Sequence, residues 1–337
     1  MWSLYGWFCG LLVCGSCFGA VTWAARMMSL VNGFEGNYVS SQDDFAAGDW
    51  LTALSYSWRA VFTVTYAIEF LCLSAAKLMV LDRMSDFAAG QDEVARKRWA
   101  AGGRMVMAVV VLGNAVGLAA NIAAAVHYQQ AADFLRASSS NYYLNSTSDG
   151  VDYFHSSQME IQLAASIASL QAFCEVAVLL LIVSAFIAAG VFCARRIRAI
   201  VRRSIRYGID AAVATQDEGR RQIRRMVVTI AFVFVAFVLR SVHSTMSAVS
   251  HLLQDVARSC PGVTNSPCES CNNVFTHMQQ WMAYTPEFQL LIVLVSSPLA
   301  LLVALWGMTS NATLHLMQSS QREALLSLKP AKSVLWK

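Results

Sequence analysis

Apolar residues in this chain run in long blocks, not short alternations. Six blocks, at about 3–25, 55–81, 105–128, 161–193, 226–250 and 286–308, are each long enough to cross a bilayer. A spanning helix takes about 20 mostly apolar residues. The pattern predicts an all-α fold: a polytopic transmembrane helix bundle of six spans, followed by a tail over 309–337. Several blocks exceed the minimum, which predicts tilt or helix continuing past the bilayer. The intervening segments are too short for a soluble domain, and no solenoid-like repeat is visible.

Composition agrees with that pattern. The 337 residues are 56% hydrophobic and 14% charged, against roughly 25% charged in a soluble domain. The basic residues are sided. Segments 82–104, 194–225 and the tail hold 19 of the 25 Lys and Arg residues. Only Arg26, Arg136 and Arg258 lie on the segments between them, and Arg59, Lys77 and Arg240 lie within blocks. Because short cytoplasmic segments carry the Lys/Arg excess, both termini, 82–104 and 194–225 are expected inside. The first block lacks a basic n-region and is long for a signal-peptide core. A retained helix and a cleaved signal both leave the remaining topology unchanged.

Outward features fit this orientation. Asn145-Ser146-Thr147 is a glycosylation sequon in an expected outer segment. The second sequon, Asn311-Ala312-Thr313, falls inside and is expected to stay unmodified. Cys260, Cys268 and Cys271 share an outer segment, where one disulfide can form and one thiol is left over. A structural zinc site needs four ligands; the Cys268-x-x-Cys271 pair with His277 as a third has no convincing fourth, so no metal or cofactor is assigned. Segment 26–54 carries Glu35, Asp43, Asp44 and Asp49 and reads as a solvated acidic surface or a cation-attracting mouth.

On the inner side, 194–225 carries ten Arg, among them Arg195, Arg196, Arg202 and Arg203. Such a run suits anionic inner-leaflet lipids or a cytosolic protein partner, not nucleic acid. Cys193 is placed for palmitoylation. Leu314, Met317, Ala324, Leu325 and Leu328 give the tail an apolar face that ends at Pro330, as in a surface helix. Gly6-x-x-x-Gly10, Gly15-x-x-x-Gly19 and Gly113-x-x-x-Gly117 let helices approach closely, within the chain or in a homo-oligomer.

Ionisable residues at bilayer depth are costly and mark candidate sites. Glu69 lies 13 residues before Asp82 and Arg240 lies 15 after Arg225. At about 1.5 Å per residue both sit roughly 20 Å up, which predicts that they face each other or share a polar cavity. Thr65 and Tyr66 lie on the face of Glu69; Asn114, Asn121 and His243 add polar groups on neighbouring blocks. Lys77 is expected to snorkel to the inner headgroups, Arg59 to be interfacial, and Glu175 to lie at the outer edge, about 30 Å above Arg195. This set reads either as a polar network fixing helix register or as a ligand or ion site. No intramembrane metalloprotease, nucleophile-elbow or phosphate-loop motif is present, and the chain reads as a non-enzyme.

The triplet Asp82-Arg83-Met84, at the inner end of the second block, resembles the Asp-Arg-Tyr motif of rhodopsin-like G-protein-coupled receptors. On that alignment the chain lacks the first of seven helices, and Trp58 stands where such receptors carry a cysteine. The stretch FVLRSVHSTMSA, followed by PEFQLLIVLVSSPLALLVALW, is similar to the tobamovirus multiplication protein family of seven-helix plant proteins. The resemblance implies a receptor-like signalling or scaffold protein, with Asp82 and Arg83 at an inner coupling surface; the topology and the glycosylated outer loop place it in the secretory pathway, at the plasma membrane. The other classes compatible with the residues are an ion or proton conductor or transporter using Glu69, and a structural membrane protein.

Overall fold

The computed structural model describes residues 2–206 except 43, 90–92 and 144–146, then 234–246, 248–250 and isolated positions between 221 and 281. All regular structure among them is helical. Four helices follow in order: α1 Trp2–Ser40, α2 Phe45–Ala89, α3 Glu93–Tyr143 and α4 Thr147–Arg206. Residues 234–246 are also helical. All four named helices are long and apolar enough to cross a membrane, which is consistent with an integral membrane protein.

Side-chain placement points to an apolar surrounding. Trp7 and Met105 are each 72% exposed, while Arg240 and Lys77 are 0% exposed. Water favours the reverse distribution. Small and polar residues line the helix contacts instead. On α1, Phe8, Gly15, Thr22, Ser29 and Gly36 recur every seven residues, and all are buried. That seven-residue spacing keeps one seam of the helix facing its partner. A Cβ on Gly15 would lie 3.4 Å from Cys72 Cβ on α2. Thr22 Oγ1 donates to Thr65 Oγ1 at 3.0 Å, and Ser29 and Ser55 hydroxyls lie 3.3 Å apart. These pairs fix α1 antiparallel to α2.

The helices run well past any bilayer. Segment 26–54, expected to be an outer loop, is two helical arms joined by a short turn. Ser41 N–H and Gln42 N–H close the end of α1 on Asn37 and Val39 carbonyls. Asp44 caps α2 by accepting from Ala47 N–H at 3.1 Å. The arms close tightly: a Cβ on Gly36 would lie 2.7 Å from Thr52 Oγ1, and one on Gly48 would strike Ser40 Oγ. Segment 129–160 is likewise mostly helix. There Ser138 donates to Asp49 at 3.0 Å, Ser139 to the Ala46 carbonyl at 2.7 Å, and His127 meets Glu160 at 2.6 Å. At 1.5 Å per residue the 60 residues of α4 span about 90 Å, roughly three times the hydrocarbon thickness. The sequence boundaries marked where apolar composition ends; intrahelical hydrogen bonds and arm-to-arm contacts carry the helices further.

The bundle thus has two ends. One carries Asp82, Lys97, Arg104 and Arg195 and is called here the basic end; the other carries the Ser41–Asp44 turn and is the acidic end. α2 is the central helix, flanked by α1, α3 and α4, and α3 packs on α4. A Cβ on Gly113 would come 2.6 Å from Val178 Cγ2 of α4, and one on Gly117 3.9 Å from Gln171. Gly6 and Gly10 have open space about them. The 234–246 segment enters between α2 and α4. Phe237 stacks edge-on against Phe186, and Ser169 donates to the Ala248 carbonyl at 3.2 Å. The predicted spans 286–308, the tail, Asn145, Asn311, Cys260, Cys268, Cys271 and Pro330 lie outside the described residues.

Candidate functional site

The deepest polar cluster joins α2, α4 and the 234–246 segment at mid-bundle. Glu175 of α4 is its centre and is 3% exposed. Tyr66 Oη donates to both carboxylate oxygens of Glu175 at 2.8 Å. Arg240 Nε donates to Glu175 Oε1 at 3.2 Å, and so does Ser244 Oγ. Gln171 Nε2, one turn earlier on α4, donates to Glu175 Oε2 at 3.3 Å. Arg240 Nη2 also donates to Tyr66 Oη at 3.3 Å. Its guanidinium packs 5.2 Å above the Phe70 ring and 5.6 Å from that of Tyr66. A carboxylate has about four lone-pair sites, and four side chains use them. The pair is therefore satisfied by hydrogen bonds as well as by charge, the condition under which a buried ion pair persists.

Glu69 lies beside this cluster, 2% exposed and within electrostatic reach of Arg240, Glu175 and Lys77. Its Oε2 has no hydrogen-bond partner among the described residues. Among the described residues, Arg240 forms an ion pair with Glu175. Glu175 is thus at the level of Tyr66, not apart at an outer edge. The depth expectation erred because the two basic boundaries are not level. Cys193 Sγ meets the Met84 carbonyl, so Arg195 lies about 6 Å beyond Asp82.

Lys77 also departs from expectation. It does not reach outward to headgroups. It is fully buried, with Nζ 4.4 Å from the centre of the Phe237 ring and 5.9 Å from that of Phe70. Lys77 lies on the buried face of α2, two turns from Glu69, so aromatic faces replace the headgroups as its cation partners. Its Nζ has no hydrogen-bond partner among the described residues.

The other sequence candidates divide. Thr65 belongs to the α1–α2 seam through Thr22 and returns its hydroxyl to the Val61 carbonyl at 2.9 Å. Asn114 is half-buried with Oδ1 unbonded, and Asn121 is buried with Nδ2 unbonded, among the described residues. His243 is half-buried and within electrostatic reach of Glu175, Arg240 and Arg26. At the basic end Asp82 is exposed on α2, and Arg195 is exposed on α4 with its guanidinium 5.9 Å from the Phe192 ring. Arg83 is on α2, and Arg196, Arg202 and Arg203 are on α4. Gln171 and Ser244 were missed by sequence reasoning. Gln171 was legible as the residue four before Glu175 on one helix face; Ser244 is likewise four after Arg240.

Among the described residues no group of three or more His, Cys, Asp or Glu is placed to hold a metal ion. No protein-family model, curated protein or solved structure matches this chain.

Proposed function

We propose that this chain is a multi-pass membrane protein with a receptor-like signalling or scaffold role. In this reading six spans place both termini and the arginine-rich 194–225 segment inside, at the plasma membrane. An outer ligand or partner shifts the packing of α4 against α2 and the 234–246 segment, and the arginine run reports the shift. One observation carries the reading. α4 is unbroken from Thr147 to Arg206, holds the locking carboxylate Glu175 near its middle, and ends in the arginine run. A rod of that kind can carry a small displacement from one side of a bilayer to the other, provided a ligand binds the two packings unequally. The glycosylated loop, one disulfide between Cys260 and either Cys268 or Cys271, and the Asp82-Arg83 coupling surface belong to the same reading.

The test uses a proximity-labelling enzyme fused to the C-terminus. Ser244→Ala, which removes one hydrogen bond to Glu175 and leaves its ion pair, is expected to change the set of labelled cytosolic proteins, and replacing Arg198, Arg202, Arg203 and Arg206 by Gln to remove its most enriched members. An identical set from all three well-expressed forms argues against the reading.

A second reading has its own observation. Glu69 Oε2, Lys77 Nζ, Ser74 Oγ and Asn114 Oδ1 are buried and unbonded among the described residues. Unsatisfied polar atoms in a membrane bundle cost several kcal/mol each, so they suit a path for an ion or proton. Membrane current under voltage and outer-pH steps, measured beside Glu69→Gln, separates the readings. A current that the substitution alters favours conduction; its absence with surface-expressed protein favours the receptor-like role.

A further inference from the structure

Two further cations adjoin the central cluster on its acidic-end side, with Phe62 beneath Arg26 stacking 5.8 Å from Tyr66. Arg26 of α1 and Arg59 of α2 lie near the acidic end of the membrane-embedded bundle. Phe62, one turn from Arg59, is 20 residues before Asp82 on one continuous helix. That is about 30 Å, the thickness of the hydrocarbon core, so both arginines sit at the headgroup layer. Arg26 Cζ is 5.5 Å from the Phe62 ring centre, and Arg59 Cζ is 4.8 Å from the ring centre of the buried Tyr128 on α3. Arg59 and Tyr128 are both within electrostatic reach of Arg26. Neither guanidinium has a carboxylate partner or a side-chain hydrogen bond among the described residues, and Arg26 Nε is buried and unbonded. Contrast Arg136, further toward the turn, which pairs with Asp133 at 2.7 Å and donates to Ser57.

Two like charges held close in a poorly hydrated place repel each other unless an anion lies between them. Stacking on a ring uses the face of a guanidinium and leaves its edge N–H groups free. That edge is a fork matched to the oxygens of a phosphate group. Both arginines are half-buried, so a ligand can reach them from one side.

We propose that Arg26 of α1 and Arg59 of α2, beside Tyr128 of α3, form an oxyanion site that takes a phosphate group. The phosphate comes either from a lipid headgroup of the acidic-end leaflet or from a soluble phosphate compound. The site adjoins the Glu175 cluster without sharing these residues with it, and holds whether the chain signals or conducts.

The experiment is binding to the purified full chain in a phosphate-free maltoside detergent, read by native mass spectrometry and thermal unfolding. The probes are short-chain phosphatidylglycerol, inorganic phosphate, and a monoacylglycerol of matched chain length as the phosphate-free control. Hydrogen bonds to charged groups contribute about 1.5–3 kcal/mol, so Arg26→Gln and Arg59→Gln should each weaken phosphatidylglycerol binding by about tenfold or more. The control should bind all forms equally. If inorganic phosphate binds with the same arginine dependence and displaces the lipid, the soluble source is indicated; if only the lipid does so, the headgroup is. Equal binding of both phosphate probes by the native and Gln forms overturns the proposal. Should a Gln form not fold, the native chain decides: phosphatidylglycerol or phosphate must raise its unfolding temperature above that with monoacylglycerol, and no difference overturns the site.

Discussion

Glu175 and Glu69 are both acids buried in the bundle, yet their surroundings set them far apart. Glu175 accepts from Tyr66, Arg240, Ser244 and Gln171, whereas Glu69 keeps Oε2 unbonded among the described residues. Removing one member of a buried pair leaves the other charge uncompensated, at a cost of roughly 3–5 kcal/mol. Glu175→Gln should therefore cut the folded yield sharply in detergent. Glu69→Gln should cost much less, and a thermal-unfolding comparison that ranks them the other way refutes this assignment of partners. Tyr66→Phe deletes a hydroxyl that donates to Glu175 and accepts from Arg240, so it should destabilise by about 1–3 kcal/mol. A double-mutant cycle on Tyr66 and Glu175 should show coupling, because the two groups share the same hydrogen bonds.

At the scale of helices, packing depends on where a Cβ is tolerated. Gly113 faces Val178 so closely that an added methyl would lie 2.6 Å from Cγ2. Val178 is β-branched and stiff, so Gly113→Ala should cost about 1–3 kcal/mol of overpacking. The loss should be recovered in a Val178→Ala background, measured as folded fraction on a sizing column. Gly6→Ala should not destabilise the monomer, since open space surrounds it and Ala is the better helix former. A loss of dimer on that change would instead assign this face to self-association. At the turn, Asp44→Ala removes the cap of α2 and should lower stability by about 1 kcal/mol.

For the whole molecule, sidedness is the property on which the proposed role depends. The proposed orientation, taken from the positive-inside rule, would put the Ser41–Asp44 turn outside and Arg198 inside. Gln42→Cys should be labelled by an impermeant maleimide on intact cells, above the level of the native cysteines. Arg198→Cys should be labelled only after permeabilisation. Reversed labelling would invert the topology and turn the proposed reporting segment outward.

Helical class and the first four apolar spans were legible in the chain because the bilayer imposes one rule on every residue. An apolar block of about 20 residues spans it, and a charge within such a block must find protein. Glu69 and Arg240 are charges of that kind, and both are buried; Tyr66 follows from the helical face it shares with Glu69. The choice of partner was not. Depth along a helix says nothing of the offset between helices, and a 6 Å difference between the Asp82 and Arg195 boundaries decided that Arg240 pairs with Glu175. The inward turn of Lys77 onto Phe237 and the gathering of Arg26 with Arg59 near Tyr128 were also tertiary outcomes. Each depends on the rotation and register of one helix against another, which side-chain packing across the interface sets and composition does not encode.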